Sequence, residues 1–281
     1  MVSSNQDVND QPGSNKHGLV ANSANEAGDN RDLATTVPES GYDKELSQLV
    51  AASKQIAKMA EPTILTAREL DAQKIIHPYM DNQRLLNKFR ELRTKLLKPG
   101  PGSLRSANSV TLVTSVSPNG GATFTALNLA AAVALDESKT ALIIDCNLEK
   151  PSMHDRVYLQ PEYGLTDFLR GDMDGVDSII YATGIARLRL IPAGGDRERS
   201  TEFFTSPRMR AFLDIVKRRY ADRHIFIDAP PVLTSADTQI LASLCDRALL
   251  VVPYGRAFKS QVMSAIDVIG EDKLAGVILN N

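Results

Sequence analysis

Short apolar runs alternate with helical stretches from Ser109 onward, and this alternation constrains the fold more than any other feature of the chain. The runs predict strands at Val110–Ser115, Thr140–Asp145, Leu188–Pro192, His224–Asp228, Ala248–Pro253 and Ala275–Leu279. The stretches between them predict helices near Thr123–Leu135, Pro207–Tyr220, Ser235–Leu244 and Lys259–Gly270. Because strands that are apolar along their whole length are buried on both faces, we predict an α/β fold with a doubly wound, mostly parallel sheet.

The first 41 residues have a different composition. Residues 1–45 hold eight acidic and three basic residues, and no aromatic residue precedes Tyr42. Such a segment buries too little apolar area to offset its conformational entropy. We therefore predict a disordered acidic tail at 1–41, and a binding tail is the alternative.

Residues 42–102 predict a helical linker in front of a main domain at 103–281. Apolar residues recur at helical spacing from Tyr42 to Ala60, and a second helix is expected at about 82–97. The second helix carries an apolar stripe of Leu85, Phe89, Leu92 and Leu96, and its other positions are mostly basic. A solvated face, a subunit contact and a contact with an acidic partner all remain open, and Pro99–Gly102 is typical of a hinge.

Composition excludes several classes of protein. A net charge of −2 and a pI of about 6.1 give no basic field of the kind that attracts nucleic acid. The two cysteines, Cys146 and Cys245, lie in apolar runs and form neither a disulfide framework nor a zinc motif. No apolar stretch approaches the roughly 20 residues that a membrane helix needs, and the first residues do not form a signal peptide.

A loop of small residues joins the first strand of the main domain to its first helix. Such a loop presents backbone N–H groups and a helix dipole to an anion. Its candidate phosphate-binding residues are Ser117, Asn119, Gly120, Gly121, Ala122 and Thr123. A phosphate loop of the GxxxxGK[ST] type has a lysine where this chain has Ala122. A tight turn that packs the helix on the sheet is therefore an open alternative.

Two aspartates, Asp145 and Asp228, each follow an apolar strand. If the two strands are neighbours, the carboxylates converge on one cleft at the carboxyl edge of the sheet. Carboxylates together with phosphates and water are the usual ligands of Mg²⁺ in nucleotide sites. Taken singly, each aspartate fits a turn or helix cap equally well.

Several segments in a fixed order resemble the cytoplasmic domain of bacterial tyrosine autokinases of capsule and exopolysaccharide synthesis, which are relatives of the MinD/ParA ATPases. The segments are FRELRTKLL, TSVSPNGGAT, IIDCNLEKPSMH, GLTDFLRG, LIPAGG, IDAPPVLTSAD and GVILNN. The resemblance runs from about residue 64 to residue 281 and implies a P-loop NTPase fold. The segment LTARELDAQKIIHP is similar to the linker of the subgroup that accompanies exosortase-type polysaccharide loci.

The resemblance implies ATP and Mg²⁺ as cofactors. It implies that Asp145 and Asp228 are catalytic acids, that both hold the metal together with Thr123, and that Asn280 contacts adenine. Arg90 and Arg93 match the arginines of a self-association helix of ExxRxxR type, whose leading Glu is here Asn87. The implied partners are other copies of the chain and the cytoplasmic part of a membrane polysaccharide co-polymerase, with no nucleic acid. The implied location is cytoplasmic, peripheral at the inner face of the cell membrane through a partner.

The departures from the family pattern concern charge. Ala122 replaces the phosphate-binding lysine, Asn147 replaces a second aspartate, and Glu149 replaces an arginine, so the site is two charges more negative. A charge-assisted hydrogen bond contributes roughly 1.5–3 kcal/mol, so we expect ATP to bind about 10- to 100-fold more weakly. MinD-like relatives use another lysine where this chain has Ser117. The cations that could compensate are Lys150, Arg256 and Lys259.

Three functions therefore remain open. The first is a regulator with weak or absent kinase activity, a pseudokinase. The second is an active tyrosine autokinase or ATPase with a displaced cation, whose seven tyrosines are scattered although the family's phosphorylated tyrosines cluster in a C-terminal tail. The third is a ParA/MinD-like positioning ATPase that acts on DNA or membrane.

Overall fold

Seven strands form one sheet with helices on both faces in the computed structural model, which describes residues 63–98, 109–173, 175–195, 200–219 and 223–281. The strands are β1 (Val110–Ser115), β2 (Thr140–Asp145), β3 (Tyr181–Ala182), β4 (Leu188–Ile191), β5 (Arg223–Asp228), β6 (Arg247–Pro253) and β7 (Leu274–Asn280). The α-helices are α1 (Ala67–Ala72), α2 (Gln83–Leu97), α3 (Ala122–Ala134), α4 (Met153–Arg156), α5 (Leu165–Arg170), α6 (Ser200–Thr205), α7 (Pro207–Arg219), α8 (Ala236–Leu244) and α9 (Lys259–Ile269). The predicted tail 1–41, the helix predicted within 42–60 and the predicted hinge Pro99–Gly102 lie outside the described residues.

The strand order is β3-β4-β2-β5-β1-β6-β7, and every neighbouring pair is parallel except β3 with β4. This confirms the predicted α/β fold with a mostly parallel sheet. The central strands β1, β2 and β5 are buried at every position, as their continuous apolar sequences require. In β7, at the edge, half-buried and exposed residues alternate, because successive side chains of a strand point to opposite faces of the sheet and these two faces are covered to different extents.

The structure adds elements that the sequence pattern did not predict. Strand β3 has two residues, and helices α1, α4, α5 and α6 have four to six residues each. Segments this short contain too few positions to show a periodic pattern. The six predicted strands and four predicted helices of the main domain are present, and their bounds shift by at most two residues.

Helix α3 is buried on nearly all sides, because the sheet covers one face and residues 67–97 cover the other. The ring of Phe89 on α2 packs edge-on against Phe124 on α3, with centroids 5.9 Å apart. Leu86, which the predicted stripe omitted, is fully buried, whereas Leu85 and Leu92 are half-buried. The described part of the predicted linker therefore forms the outer layer on this face of the sheet.

One buried side chain, Asn128 of α3, joins this outer layer to the helix behind the phosphate loop. Its Oδ1 accepts from the N–H of Ile76 at 2.8 Å. Its Nδ2 donates to the carbonyl oxygens of Lys74 at 3.1 Å and Phe124 at 3.0 Å. The acceptor oxygen and both N–H donors of the carboxamide are thus paired, in an interior where an unpaired polar group is costly.

Two further expectations from composition can be compared with the described residues. Both cysteines are buried and unpaired, which confirms that they form no disulfide. Among the helices whose placement is described, none combines the length and the apolar character that crossing a membrane requires.

Candidate functional site

Strands β1, β2 and β5 are adjacent, so the loops that follow them meet at one edge of the sheet. The pairing register places Asp145, the last residue of β2, directly beside Asp228, the last residue of β5. Both carboxyl side chains are buried, at 0% and 1% exposure. The structure therefore brings the two aspartates together as the sequence predicted.

The loop after β1 is tightly folded on itself. Ser115 Oγ donates to the carbonyl oxygen of Ser117 at 2.9 Å, and the N–H of Gly120 donates to the same oxygen at 3.1 Å. A Cβ on Gly120 would stand 2.6 Å from Ser115 Cβ, so no larger residue fits there without movement. Asn119 and Gly121 both have positive φ, of 57° and 92°, which turns the chain into the helix.

Helix α3 begins at this loop without a side-chain cap. Gly121 occupies the cap position, and no side chain of the described residues accepts from the first N–H groups of the helix. The first N–H groups of a helix have no partner inside the helix, so an anion in the loop could accept from them. Ala122 is the first helical residue and is 7% exposed, so this position offers no positive charge.

Asp228 is held on one side only. Its Oδ2 accepts from Thr123 Oγ1 at 2.7 Å, while its Oδ1 is buried and has no hydrogen-bond partner among the described residues. Burial and, next, the negative charge of Asp145 raise the pKa of Asp228 well above its ordinary value. An unpaired buried carboxylate oxygen beside a hydroxyl is an unsatisfied acceptor for a cation or a proton.

Asp145, in contrast, is fully engaged by the main chain of the loop that follows β2. Its Oδ1 accepts from the N–H of Asn147 at 3.1 Å, and its Oδ2 accepts from the N–H groups of Ser152 and Met153, both at 3.2 Å. Burial raises the pKa of Asp145 to about 6, although these three bonds act in the opposite direction. Asp145 therefore shapes the loop in addition to carrying charge.

These residues fit Mg²⁺. The unpaired oxygen of Asp228, the hydroxyl of Thr123 and the neighbouring carboxylate of Asp145 form the hard oxygen donor set that this ion takes, with phosphates and water completing it. The loop from Ser117 to Thr123 has the small residues and free helix start that suit a phosphate chain. The departure from a phosphate site is its charge, because no lysine stands at position 122.

Asn280 and the loop between β6 and α9 close the other side of the phosphate loop. Asn280 Nδ2 donates to the carbonyl oxygen of Gly120 at 3.1 Å, and the N–H of Tyr254 donates to the carbonyl oxygen of Asn280 at 2.7 Å. A Cβ on Gly121 would stand 2.1 Å from Asn280 Nδ2, so this amide packs directly on the loop. The residue predicted to contact adenine is therefore beside the phosphate loop.

Two arginines bring positive charge to the site. Arg256 Nη2 donates to the carbonyl oxygen of Asn119 in the phosphate loop at 3.4 Å. Arg156 of α4 lowers the pKa of Asp228 by its charge, and its Nε is buried without a partner among the described residues. Sequence reasoning missed Arg156, because it lies eleven residues beyond the end of β2 and outside every recognised motif.

The predicted self-association residues lie away from the site, on α2. Arg93 Nη1 donates to the carbonyl oxygen of Ala132 at 2.9 Å, near the C-terminal end of α3. Arg90 is exposed. Lys88 and Lys95 on the same helix pair with Glu91, at 3.4 and 2.8 Å. The basic side of α2 is therefore partly neutralised by its own acidic residue.

Known proteins are similar to this chain in sequence over much of its length. The tyrosine-protein kinase YwqD of Bacillus subtilis is 32% identical over 171 residues, which are 60% of this chain and 70% of that kinase. The chain belongs to the family of bacterial tyrosine autokinases. The tyrosine-protein kinase wzc of Salmonella typhimurium is 30% identical over 195 residues, which are 69% of this chain and 26% of that kinase. No family model matches the chain.

Solved structures of the family have the same fold. The chimerical protein CapA2B2 superposes with a TM-score of 0.65 at 25% identity, over 82% of this chain and 97% of that one. The kinase domain of the Escherichia coli tyrosine kinase ETK superposes with a TM-score of 0.65 at 23% identity, over 82% and 92%. The cell-division ATPase MinD of Pyrococcus furiosus shares the fold with a TM-score of 0.52 at 23% identity, over 62% and 72%. These likenesses confirm the predicted P-loop NTPase fold of MinD/ParA type.

Proposed function

We propose that this member of the tyrosine autokinase family is a regulatory component of bacterial exopolysaccharide or capsule synthesis and export that binds ATP with Mg²⁺ and transfers phosphate slowly or not at all. The observation that carries the proposal is Ala122 at the start of α3, where the loop type calls for lysine. Asp228 and Thr123, the residues that we expect to hold Mg²⁺, are nevertheless present and in contact, and one oxygen of Asp228 has no partner among the described residues. Binding and transfer are therefore expected to be affected to different degrees.

The loss of positive charge affects phosphate transfer more than it affects ATP binding. Phosphoryl transfer depends on neutralising the charge that builds up on the transferred group, and a fixed cation in the loop is one of the main sources of that stabilisation. Ground-state binding can also draw on Mg²⁺, on the backbone N–H groups of the loop and on contacts to the base. The loss of one lysine thus weakens binding by about 10- to 100-fold and slows transfer further.

Two measurements on the same protein test this proposal. Titration calorimetry with ATP and Mg²⁺ is expected to show binding, and incubation with ATP is expected to give no more phosphotyrosine than an Asp228→Ala variant gives. An Ala122→Lys variant is the matched gain-of-charge protein, and we expect it to bind ATP at least about tenfold more tightly. Phosphotyrosine formation by the unaltered protein at a rate equal to that of Ala122→Lys would sink the proposal.

An active autokinase is the second candidate, and one observation favours it. Arg256 already contacts the phosphate loop, so a cation is available near the position from which the lysine is missing. On this alternative, the unaltered protein forms phosphotyrosine with ATP, and Asp228→Ala abolishes the signal. A ParA/MinD-like positioning function is the third candidate, and salt-sensitive binding to DNA or liposomes would support it.

The setting of the protein is also proposed. The family resemblance supports a cytoplasmic location, a membrane co-polymerase as partner and self-association, and the segment LTARELDAQKIIHP supports an exosortase-type locus. Arg90 is the exposed arginine of the self-association motif, whereas Arg93 is bonded within the chain. We expect Arg90→Ala to lower the mass of any oligomer in light scattering, and an unchanged mass would remove Arg90 from the contact.

A further inference from the structure

We propose that Arg256 is the cation that binds the phosphate chain of a nucleoside triphosphate in this protein, in place of the lysine missing from position 122. The inference rests on the proposed function, because it assumes that the site holds a nucleotide. It goes further by assigning the charge to a different loop. The residue lies between β6 and α9 and contacts the phosphate loop from outside.

The position of Arg256 is fixed by neighbouring contacts. The N–H of Tyr254 donates to the carbonyl oxygen of Asn280 at 2.7 Å, and Asn280 in turn donates to Gly120 at 3.1 Å. The N–H of Arg256 donates to the carbonyl oxygen of Pro253 at 3.2 Å, which turns the loop back on itself. The loop after β6 is therefore bonded to the end of β7, and the end of β7 is bonded to the phosphate loop. These bonds hold Arg256 close enough for its guanidinium to reach Asn119.

The guanidinium itself is suited to exchange partners. Arg256 is exposed, and its bond to the Asn119 carbonyl is long, at 3.4 Å, and involves a neutral acceptor. A phosphate group is charged and two of its oxygens can accept parallel N–H bonds from one arginine, so it is the stronger acceptor. A phosphate chain in the loop would replace a weak contact by a charge-assisted one without moving the backbone.

The other nearby cations are placed less well for this role. Lys150 and Lys259 are exposed, and within the described residues neither is bonded to the phosphate loop. Arg156 acts on Asp228, where its charge favours the carboxylate rather than a phosphate. Arg256 is thus the cation whose contact is with the loop itself.

The placement also separates binding from catalysis. Asn119 lies three residues before Ala122, at the outer rim of the loop, whereas the missing lysine belongs to the first turn of α3. A cation at the rim neutralises the bound phosphate chain in the ground state. Transition-state stabilisation needs donors aimed at the reacting group, so Arg256 is expected to raise affinity without restoring transfer.

The test is titration calorimetry of the full chain with ATP and Mg²⁺ at fixed salt, using Arg256→Gln and the matched exposed variant Lys259→Gln. We expect Arg256→Gln to weaken ATP binding about tenfold and Lys259→Gln to change it less than about twofold. Adding Ala122→Lys to Arg256→Gln is expected to recover the lost affinity. Arg256→Lys, which keeps the charge, guards against a folding defect and is expected to lose less than Arg256→Gln.

The outcomes distinguish this inference from the proposed function. Equal affinities for Arg256→Gln and Lys259→Gln overturn the role of Arg256 and leave the proposed function standing. Phosphotyrosine formation as fast as that of Ala122→Lys, together with a tenfold loss of ATP affinity in Arg256→Gln, supports the inference and overturns slow transfer. An absence of ATP binding by the unaltered protein at millimolar nucleotide overturns both.

Discussion

The ends of β2 and β5 carry the same residue in the same register, yet the structure uses the two aspartates differently. Asp145 accepts three main-chain N–H bonds and closes the loop that follows it. Asp228 accepts one hydroxyl bond and keeps a buried oxygen without a partner among the described residues. Main-chain bonding therefore decides how much of the hydrogen-bonding capacity of a strand-end carboxylate is left for a ligand, and Asp228 keeps more of it than Asp145.

The largest expected effect is the loss of folding stability in an Asp145→Ala variant. Asp145→Ala leaves the N–H groups of Asn147, Ser152 and Met153 without their acceptor in a partly buried loop. We expect the free energy of unfolding to fall by about 2–4 kcal/mol in urea denaturation near pH 7, even though one buried charge is removed. Asp145→Asn keeps one acceptor oxygen and is expected to lose less. A gain in stability for Asp145→Ala would break the comparison.

The opposite sign is expected for Asp228→Asn. The amide oxygen can still accept from Thr123, and the charge that burial disfavours is gone. Because the folded-state pKa values of Asp145 and Asp228 are raised from the ordinary 3.8, to about 6 for Asp145, the folded protein binds more protons than the unfolded chain. The stability of the unaltered protein therefore falls as pH rises through this range and beyond.

We expect Asp228→Asn to be about 1–2 kcal/mol more stable than the unaltered protein near pH 8 and nearly equal to it near pH 4. Urea titrations at both pH values measure the difference. If Asp228→Asn were less stable than the unaltered protein near pH 8, the Asp228 carboxylate would have to be paired with a further cationic group.

The smallest expected effect concerns Thr123. Thr123→Val removes the hydroxyl that donates to Asp228 and that belongs to the Mg²⁺ donor set. We expect ATP affinity in the presence of Mg²⁺ to fall about five- to tenfold, because one hydrogen bond and one ligand are lost. Affinity without Mg²⁺ serves as the control and is expected to change less than about twofold. Equal losses with and without the metal would place Thr123 in phosphate binding alone.

The sequence predicted the part of the molecule that repeats a simple pattern. Continuous apolar runs predict buried strands. Because β2 and β5 are neighbours, their ends bring Asp145 and Asp228 together. The two-residue strand β3 could not be predicted, because it forms only where β4 offers it an edge. The same holds for Asn128, whose partners at residues 74–76 are more than fifty positions away.

The difference between the two aspartates was beyond sequence reasoning for a related reason. The bonds to Asp145 come from main-chain groups, which every residue except proline carries. Arg93 is a similar case. Its motif is associated with self-association, yet its guanidinium donates to the Ala132 carbonyl of the same chain. Side chains that satisfy distant backbone groups leave no signature in residue type or spacing.

The hydrogen bonds of the Asn128 carboxamide limit how far the protein can be shortened at its N-terminal side. One side chain serves both the backbone at Lys74–Ile76 and the helix behind the phosphate loop, and the helix it belongs to is apolar on its outer surface as well as its inner one. A shortened protein that started at β1 would present that apolar surface to water and would remove the backbone partners of the Asn128 side chain at Lys74 and Ile76. We therefore expect residues 67–97 to unfold together with the core that they cover.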